Sequence, residues 1–144
     1  MTRPTNDEYY IEMVKLVASR GTCARRKVGC ILVDDMNRVL STGFNGVAPG
    51  LPHCIDNPCA AANAQSGTML DSCRASHAEQ AALLHCNDVM KISTAYVTAS
   101  PCSHCTKLLL MTGCQRIVFI DEYPHSESRE WWLEAGREWE QFQK

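Results

Sequence analysis

The sequence lacks a long apolar run, a strong charge of either sign and any internal repeat. No stretch approaches the roughly 20 apolar residues that a membrane-spanning helix needs, so we expect no membrane partner. The first ten residues, MTRPTNDEYY, lack the apolar core of a signal peptide, and we therefore expect a cytoplasmic protein. The formal charge of −2 offers no broad basic face, so we expect no nucleic-acid partner.

The chain has 144 residues, enough for a single domain over 1–144 with a core of its own. Strand-like and helical patterns alternate along it, which predicts an α/β layered domain. The predicted helices cover Asn6–Arg20, the segment beginning HAEQAALLHC, the segment SPCSHCTKLLLMTG and Ser126–Gly136. The predicted strands cover Val28–Val33, Arg38–Thr42, Thr94–Ala99 and Arg116–Ile120, with a short fifth strand expected at WEQF.

Nine cysteines are an odd number, and a reducing cytosol disfavours disulfides. Metal binding together with a few buried thiols is therefore the favoured explanation. A long irregular segment at about 47–76 contains three of them, and a structureless stretch of that length is usually functional or held by something. Cys30, Cys86 and Cys114 lie beside or within apolar elements, where core packing is expected.

The stretch SPCSHC contains a Cys-x-x-Cys pair that could be a redox switch, a disulfide or part of a zinc site. We expect Pro101 in the first helical turn, with Cys102 and Cys105 following on one helix face. The positive end of the helix dipole favours thiolates and hence metal binding. Two thiolates leave a tetrahedral zinc ion two ligands short.

His77 is the expected third ligand, and Glu79 follows two residues later. Residues two apart in a helix point roughly 200° apart, so both can face one cavity only if His77 lies at a non-helical start of its helix. One His and two Cys with an open fourth position predict a catalytic zinc site that activates water. Glu79, which does not itself bind the metal in this arrangement, is the expected acceptor for the proton that the activated water loses. A structural zinc site or an incidental pattern is the alternative.

H-x-E followed by P-C-x-x-C is the signature of the zinc-dependent deaminases. Nearly the whole chain resembles the deoxycytidylate (dCMP) deaminases of the cytidine deaminase-like superfamily. The matching stretches are RGTCARRKVGC, STGFNG, LPHC, CRASHAEQAAL, YVTASPCSHCTKLLLMTG and RIVFIDEY. The resemblance implies a three-layer fold, with a central mixed β-sheet flanked by helices on both faces. It also implies zinc-dependent hydrolysis of dCMP to dUMP and ammonia, which supplies thymidylate synthesis.

The same resemblance assigns roles to further residues. The backbone of Ala78 and the end of the neighbouring strand at Ser100 would hold the cytosine, Asn45 the sugar, and Tyr123 would cover the pocket. Members are often hexamers that dCTP activates and dTTP inhibits, each with Mg²⁺. The effector site would include Asn45 and Gly46, with Arg26 and Lys27 as further candidates. Arg25, Arg26 and Lys27 are alternatively candidates for the substrate 5′-phosphate, or a solvated basic turn.

Two positions depart from the family pattern. Ala81 occupies a place that commonly holds Asn, and Phe44 replaces the usual Tyr. Four cysteines resemble those of the bacterial and phage branch, where they would close a second, structural zinc site with His53 as a possible substitute: Cys23, Cys54, Cys59 and Cys73. The rivals to this interpretation are a tRNA adenosine deaminase, which shares HAE and PCxxC, and a non-enzymatic zinc-stabilised binding module.

The remaining aromatic and histidine side chains favour ordinary structural roles. The three tryptophans are expected in packing or a subunit contact rather than in base stacking: Trp131, Trp132 and Trp139. The spare histidines are expected at the surface: His85, His104 and His125.

Overall fold

The computed structural model describes residues 2–22, 26–52, 75–123 and 127–143. Most of the predicted irregular segment therefore lies outside the described residues. The helices are α1 (Asn6–Ala18), α2 (Ala78–Leu84), α3 (Ser103–Leu110) and α4 (Ser128–Glu134). The strands are β1 (Gly29–Val33), β2 (Val39–Phe44), β3 (Thr94–Ala99), β4 (Arg116–Asp121) and β5 (Glu138–Gln141), and a short 3₁₀ turn covers Val89–Lys91.

The five strands form one sheet in the order β2-β1-β3-β4-β5. β1 pairs antiparallel with both β2 and β3, whereas β3, β4 and β5 run parallel to one another. The predicted mixed sheet is confirmed. The parallel strands β3 and β4 end side by side, with Ala99 opposite Asp121. Ligands of open α/β sheets bind outside the carboxyl ends of such strands.

Helices cover both faces of the sheet, which confirms the three-layer prediction. On one face α1 packs Tyr10, Ile11 and Val14 against side chains of β1, β3 and β4. On the other face α2, α3 and α4 contribute Ala78, Ala82, Leu109 and Trp132 to a second cluster. β1 is central, and all five of its residues are buried. Because that strand is covered on both sides, it is apolar throughout and does not alternate.

The predicted core cysteines lie in or beside the second cluster. Cys30 and Cys114 are fully buried there, and Cys86 packs against its margin. Trp132 is fully buried in the same cluster, and its indole N–H donates to the Glu138 carbonyl at 2.8 Å. Packing is therefore confirmed for this tryptophan, rather than base stacking. The guanidinium of Arg137 lies over the Trp132 ring, 5.1 Å from its centroid.

α2 packs directly against β2, and this contact determines how closely the helix approaches the sheet. A Cβ atom at Gly43 would overlap backbone atoms of Ala78 and Ala82, so only glycine permits the approach. Ser41 Oγ also donates to the Ala82 carbonyl at 2.6 Å, which joins the strand to the helix. The position of α2, and of the residues at its start, is therefore fixed by β2.

A half-buried ionic network joins α1 to the amino end of β4. Arg116 donates to both carboxylate oxygens of Asp7, at 2.9 and 2.6 Å. It also donates to both oxygens of Glu140, at 3.1 and 2.8 Å, and the Tyr96 hydroxyl donates to Asp7 at 2.7 Å. We call these four residues the Arg116 network. It ties the first helix and the last strand to the centre of the sheet.

No helix within the described parts of the chain is both long enough and apolar enough to cross a membrane.

Candidate active site

His77 lies at the start of α2 and is not part of the helix. It is the N-cap residue, with extended backbone at φ −74° and ψ 153°. The predicted non-helical start is therefore confirmed. His77 Nδ1 lies 3.2 Å from Cys105 Sγ and 3.4 Å from Cys102 Sγ. We call these three residues the donor cluster, and one ligand atom from each lies within 4.8 Å of the others.

The predicted placement of Cys102 and Pro101 inside the helix is wrong. Cys102 is the N-cap of α3, with extended backbone at φ −69° and ψ 173°, and the helix begins at Ser103. An N-cap side chain turns back over the first helical turn, which brings the Cys102 sulfur towards Cys105. The two sulfurs therefore meet through a cap geometry instead of an i, i+3 face. His104, between them, is exposed as expected.

The donor cluster fits a zinc ion in chemistry. Two thiolates and one imidazole are ligands that zinc prefers, and three protein ligands are typical of its catalytic sites. The thiols of the cluster interact strongly: hydrogen bonding from Cys105 lowers the pKa of Cys102 to about 4, and the same contact raises the pKa of Cys105. The lowered pKa favours the thiolate form of Cys102, which is the form that binds metal ions.

Glu79 is a buried carboxyl group beside the donor cluster, 4% exposed on the first turn of α2. Burial, together with the charge of Cys102, raises the pKa of Glu79 to about 7. The backbone N–H of Glu79 itself, His77 and Arg26 act in the opposite direction. A buried acid with a strongly shifted pKa next to metal-type donors is typical of a functional site.

Two of the predicted substrate residues close the carboxyl ends of β3 and β4. Ser100 is 3% exposed, and its hydroxyl accepts a 2.6 Å hydrogen bond from the Tyr123 backbone N–H. Ser100 N–H in turn donates to the Asp121 carbonyl at 2.9 Å. Ala78, the first residue of α2, is buried. The sheet edge and the helix start therefore surround the donor cluster.

Asn45 and Arg26 form a second wall. Asn45 accepts from the Val28 N–H at 2.8 Å and donates to the Arg26 carbonyl at 2.6 Å, which fixes the segment before β1. The Arg26 guanidinium lies over the Tyr123 ring, 5.7 Å from its centroid, within cation–π range. The charge of Arg26 also acts to lower the pKa of Glu79. Lys27 is exposed.

Residues 4–121 match the family described as the cytidine and deoxycytidylate deaminase zinc-binding region. The chain belongs to this family. The resemblance predicted from HAE and PCSHC is therefore confirmed, and the donor cluster and Glu79 both lie within the matched residues.

Relatives from a yeast and a phage illustrate the similarity to this deaminase family. The deoxycytidylate deaminase of Saccharomyces cerevisiae is 33% identical over 129 residues, covering 88% of this chain and 41% of the relative. That of Mycobacterium phage D29 is 38% identical over 128 residues, covering 85% of this chain and 99% of the relative. The chain thus spans about two fifths of the yeast relative's length and nearly all of the phage one.

A solved structure shows the same fold. The dCMP deaminase of cyanophage S-TIM5, crystallised in complex with dCMP and dUMP, is 25% identical and has a TM-score of 0.73. The similarity covers 99% of this chain and 100% of the phage chain. The cytidine deaminase-like fold is therefore shown.

Seven residues singled out in the sequence lie outside the described residues. They include all four cysteines predicted for a second zinc site, one candidate phosphate contact and two histidines: Cys23, Arg25, His53, Cys54, Cys59, Cys73 and His125.

The sequence reasoning missed Gln80, whose side-chain oxygen accepts a hydrogen bond from the His77 backbone N–H at 2.9 Å. The bond is part of a capping box, in which the side chain three places after the N-cap reaches back to the N-cap N–H. The usual signature begins with Ser or Thr, so HAEQ does not display it. The sequence did contain a signal for this bond. A glutamine follows three places after His77, and His77 was predicted to lie at a non-helical start of its helix.

Proposed function

We propose that this protein catalyses the hydrolytic deamination of dCMP to dUMP and ammonia, with zinc as the cofactor. The observation that carries this proposal is the donor cluster with the buried Glu79 beside it. The names of the relatives and the phage complex with dCMP and dUMP support the substrate. The product would supply dUMP for thymidylate synthesis, in the cytoplasmic location predicted from the sequence.

His77, Cys102 and Cys105 would hold the zinc ion, which when bound supplies Lewis-acid activation of water at neutral pH. Glu79 then moves protons at defined atoms. Its carboxylate accepts a proton from the attacking water and gives it to the pyrimidine ring nitrogen N3. The second proton of the water goes through Glu79 to the exocyclic amine, which leaves as ammonia. Burial of Glu79 keeps bulk water from competing for these protons.

The walls of the site would supply contacts for each part of a nucleotide. The backbone of Ala78 and the strand end at Ser100 would hold the cytosine ring. Asn45 would hold the sugar, since its amide has a further hydrogen and a further lone pair beyond its two backbone contacts. Tyr123 would cover the pocket, and the cationic Arg26 would take the 5′-phosphate.

A substrate panel tests the proposal against its runner-up, deamination of adenosine in tRNA. The zinc-loaded protein is incubated with dCMP, dCTP, deoxycytidine and a tRNA anticodon loop, and ammonia release is measured. We expect dCMP to be the best substrate by kcat/KM. Turnover of the tRNA loop with no turnover of dCMP would overturn the proposal, as would full zinc occupancy with no turnover of any substrate.

The phosphate contact has its own test, with an exposed arginine elsewhere in the chain as the matched control. Arg26→Ala should raise KM for dCMP by about 10-fold, the lower end of what a hydrogen bond to a charged group contributes. KM for deoxycytidine, which has no phosphate, should change little, and Arg38→Ala should leave both values near those of the unaltered protein. An unchanged KM for dCMP in both Arg26→Ala and Lys27→Ala would assign this segment to a solvated turn.

Regulation and assembly follow the family expectation. A homohexamer that dCTP activates and dTTP inhibits, each with Mg²⁺, is proposed, with Asn45, Gly46, Arg26 and Lys27 as candidate effector contacts. Without dCTP, the rate should depend sigmoidally on the dCMP concentration. Addition of dTTP should lower the rate at subsaturating dCMP. A hyperbolic curve indifferent to both nucleotides would contradict this part alone.

A second, structural zinc site is proposed for the irregular segment at about 47–76 in the single predicted domain. Its ligands would be Cys23, Cys54, Cys59 and Cys73. Two zinc ions per chain by metal analysis would support the site, and one would remove it while leaving the catalytic proposal intact.

A further inference from the structure

The zinc site needs an unusual backbone conformation at one residue. His77 and Glu79 are two positions apart, and in a continuous helix their side chains would point roughly 200° apart. They meet because His77 is extended, with ψ 153°, whereas Glu79 is already helical. If α2 began one residue earlier, His77 would turn away from Cys102 and Cys105. The donor cluster therefore depends on where this helix begins.

Contacts on both sides of His77 fix that beginning. On the preceding side, Ser76 and Gly46 exchange backbone hydrogen bonds at 2.8 and 3.2 Å. On the helix side, the His77 carbonyl accepts the first helical bond, from Ala81 N–H at 3.0 Å. The His77 N–H points out of the helix and donates to Gln80 Oε1 at 2.9 Å. Among these contacts, Gln80 is the residue whose side chain bonds to His77. The other contacts join backbone atoms.

The Gln80 contact acts on the conformation as well as on stability. A side chain at the third helical position reaches the N-cap N–H when the cap residue is extended, so the bond favours that conformation. A half-buried His77 N–H without this acceptor would lose a partner, which removes the preference. Hydrogen bonds from neighbouring residues to metal-binding residues orient the metal ligands in general.

We propose that Gln80 is a positioning residue, which holds His77 in the extended conformation that zinc binding beside Glu79 requires. The inference rests on the proposed zinc site but not on the identity of the substrate. It assigns Gln80 no contact with substrate or with the metal.

The chain offers a matched control at α1. There Thr5 N–H donates to Glu8 Oε1 at 2.8 Å, and Glu8 N–H donates to Thr5 Oγ1 at 3.1 Å, which forms another capping box. Loss of the Glu8 side chain removes the same kind of bond from a helix that holds no ligand of the donor cluster. A general loss of helix stability would therefore affect Glu8→Ala and Gln80→Ala alike, whereas a positioning role affects Gln80→Ala alone.

The experiment measures zinc release from the purified, zinc-loaded protein to a chromogenic chelator. We expect Gln80→Ala to release the catalytic zinc about 10-fold faster, the lower end of the usual cost of losing such a contact. Gln80→Met, which keeps the side-chain length without an acceptor oxygen, should behave similarly and provides a second route should the alanine variant fold poorly. Gln80→Glu keeps the acceptor and should restore slow release.

Glu8→Ala should release zinc at the rate of the unaltered protein, although its thermal unfolding temperature falls. Equal release from Gln80→Met and the unaltered protein would overturn the inference, and so would equal acceleration by Glu8→Ala. Failure of the zinc proposal is distinguishable, because the unaltered protein would then contain no zinc bound through His77, Cys102 and Cys105.

Discussion

Asp7 and Glu79 are both acidic side chains drawn away from solvent, and their pKa values shift in opposite directions. The guanidinium of Arg116 holds the pKa of Asp7 below its usual value, at the amino end of β4. Burial raises the pKa of Glu79 to about 7, beside Cys102 and His77. The first carboxylate has a fixed cationic partner, and the second lies among thiols and an imidazole.

The difference separates a structural ionic site from a chemical one. In the Arg116 network both carboxylates accept hydrogen bonds from one guanidinium, so the network stabilises the junction of α1, β4 and β5. In the donor cluster two thiols and an imidazole converge beside an acid with a raised pKa, an arrangement that is typical of functional sites. Substitutions at the two ends of the sheet should therefore affect different properties.

The largest expected effect comes from removing a donor. Cys102→Ala should lower the zinc content by one ion per chain and abolish dCMP turnover. The loss should exceed the about 10–100-fold that removal of an outer contact typically causes, because a ligand itself is removed. Cys86→Ala is the control, because its half-buried thiol is not part of the donor cluster. This variant should retain both zinc and turnover. Full zinc content in Cys102→Ala would contradict the assignment of the cluster.

An intermediate effect is expected at the Arg116 network. Arg116→Met should lower the free energy of unfolding by about 1–3 kcal/mol, because two half-buried carboxylates lose their charge-assisted hydrogen bonds. Urea unfolding at pH 7 measures the change. Arg38→Met, at an exposed arginine, is the control and should have little effect. Zinc content should be unchanged in both variants; loss of zinc from Arg116→Met would break the separation of the two regions.

The smallest expected effect is the pH dependence of that stabilisation. The pKa values of Asp7 and Glu140 are lowered from the ordinary values of 3.8 and 4.5, chiefly by their hydrogen bonds to Arg116. Groups whose folded-state pKa is depressed stabilise the fold above their unfolded-state pKa, and this stabilisation is lost as the pH falls through the folded-state value. The stability difference between the unaltered protein and Arg116→Met should therefore narrow from pH 6 towards pH 3.

The groups of the zinc site are the same in the unaltered protein and in Arg116→Met. The difference in unfolding free energy between these two proteins therefore reports on the Arg116 network. A difference that stays constant over this range, or that widens as the pH falls, would show that the two carboxylates are not the groups stabilised by Arg116.

Local patterns predicted most of the secondary structure. Strand β3 has the predicted bounds, Thr94–Ala99, because a β-branched and aromatic run is bounded there by clear breaks. Helix α1 ends at Ala18, two residues before its predicted end. The 3₁₀ turn at Val89–Lys91 was not predicted, since three residues carry no periodicity.

Local sequence patterns could not predict contacts between residues that are far apart in the chain. Asp7 and Arg116 are 109 positions apart, and nothing near either one indicates their pairing. The donor cluster spans a shorter gap and was predicted because zinc chemistry constrains which residue types must meet. The cap geometry of Cys102 was missed, since Pro is compatible with a position just before the cap as well as with the first turn.

The most direct test of the account compares two glutamates, one from each region. Glu79→Gln should lower kcat for dCMP by about 10²–10⁴-fold, the usual contribution of a general acid–base group, while zinc content stays unchanged. Glu140→Gln, at the opposite end of the sheet, should keep kcat within about twofold, as expected for a partly exposed ion pair. Near-normal turnover by fully zinc-loaded Glu79→Gln would contradict the account.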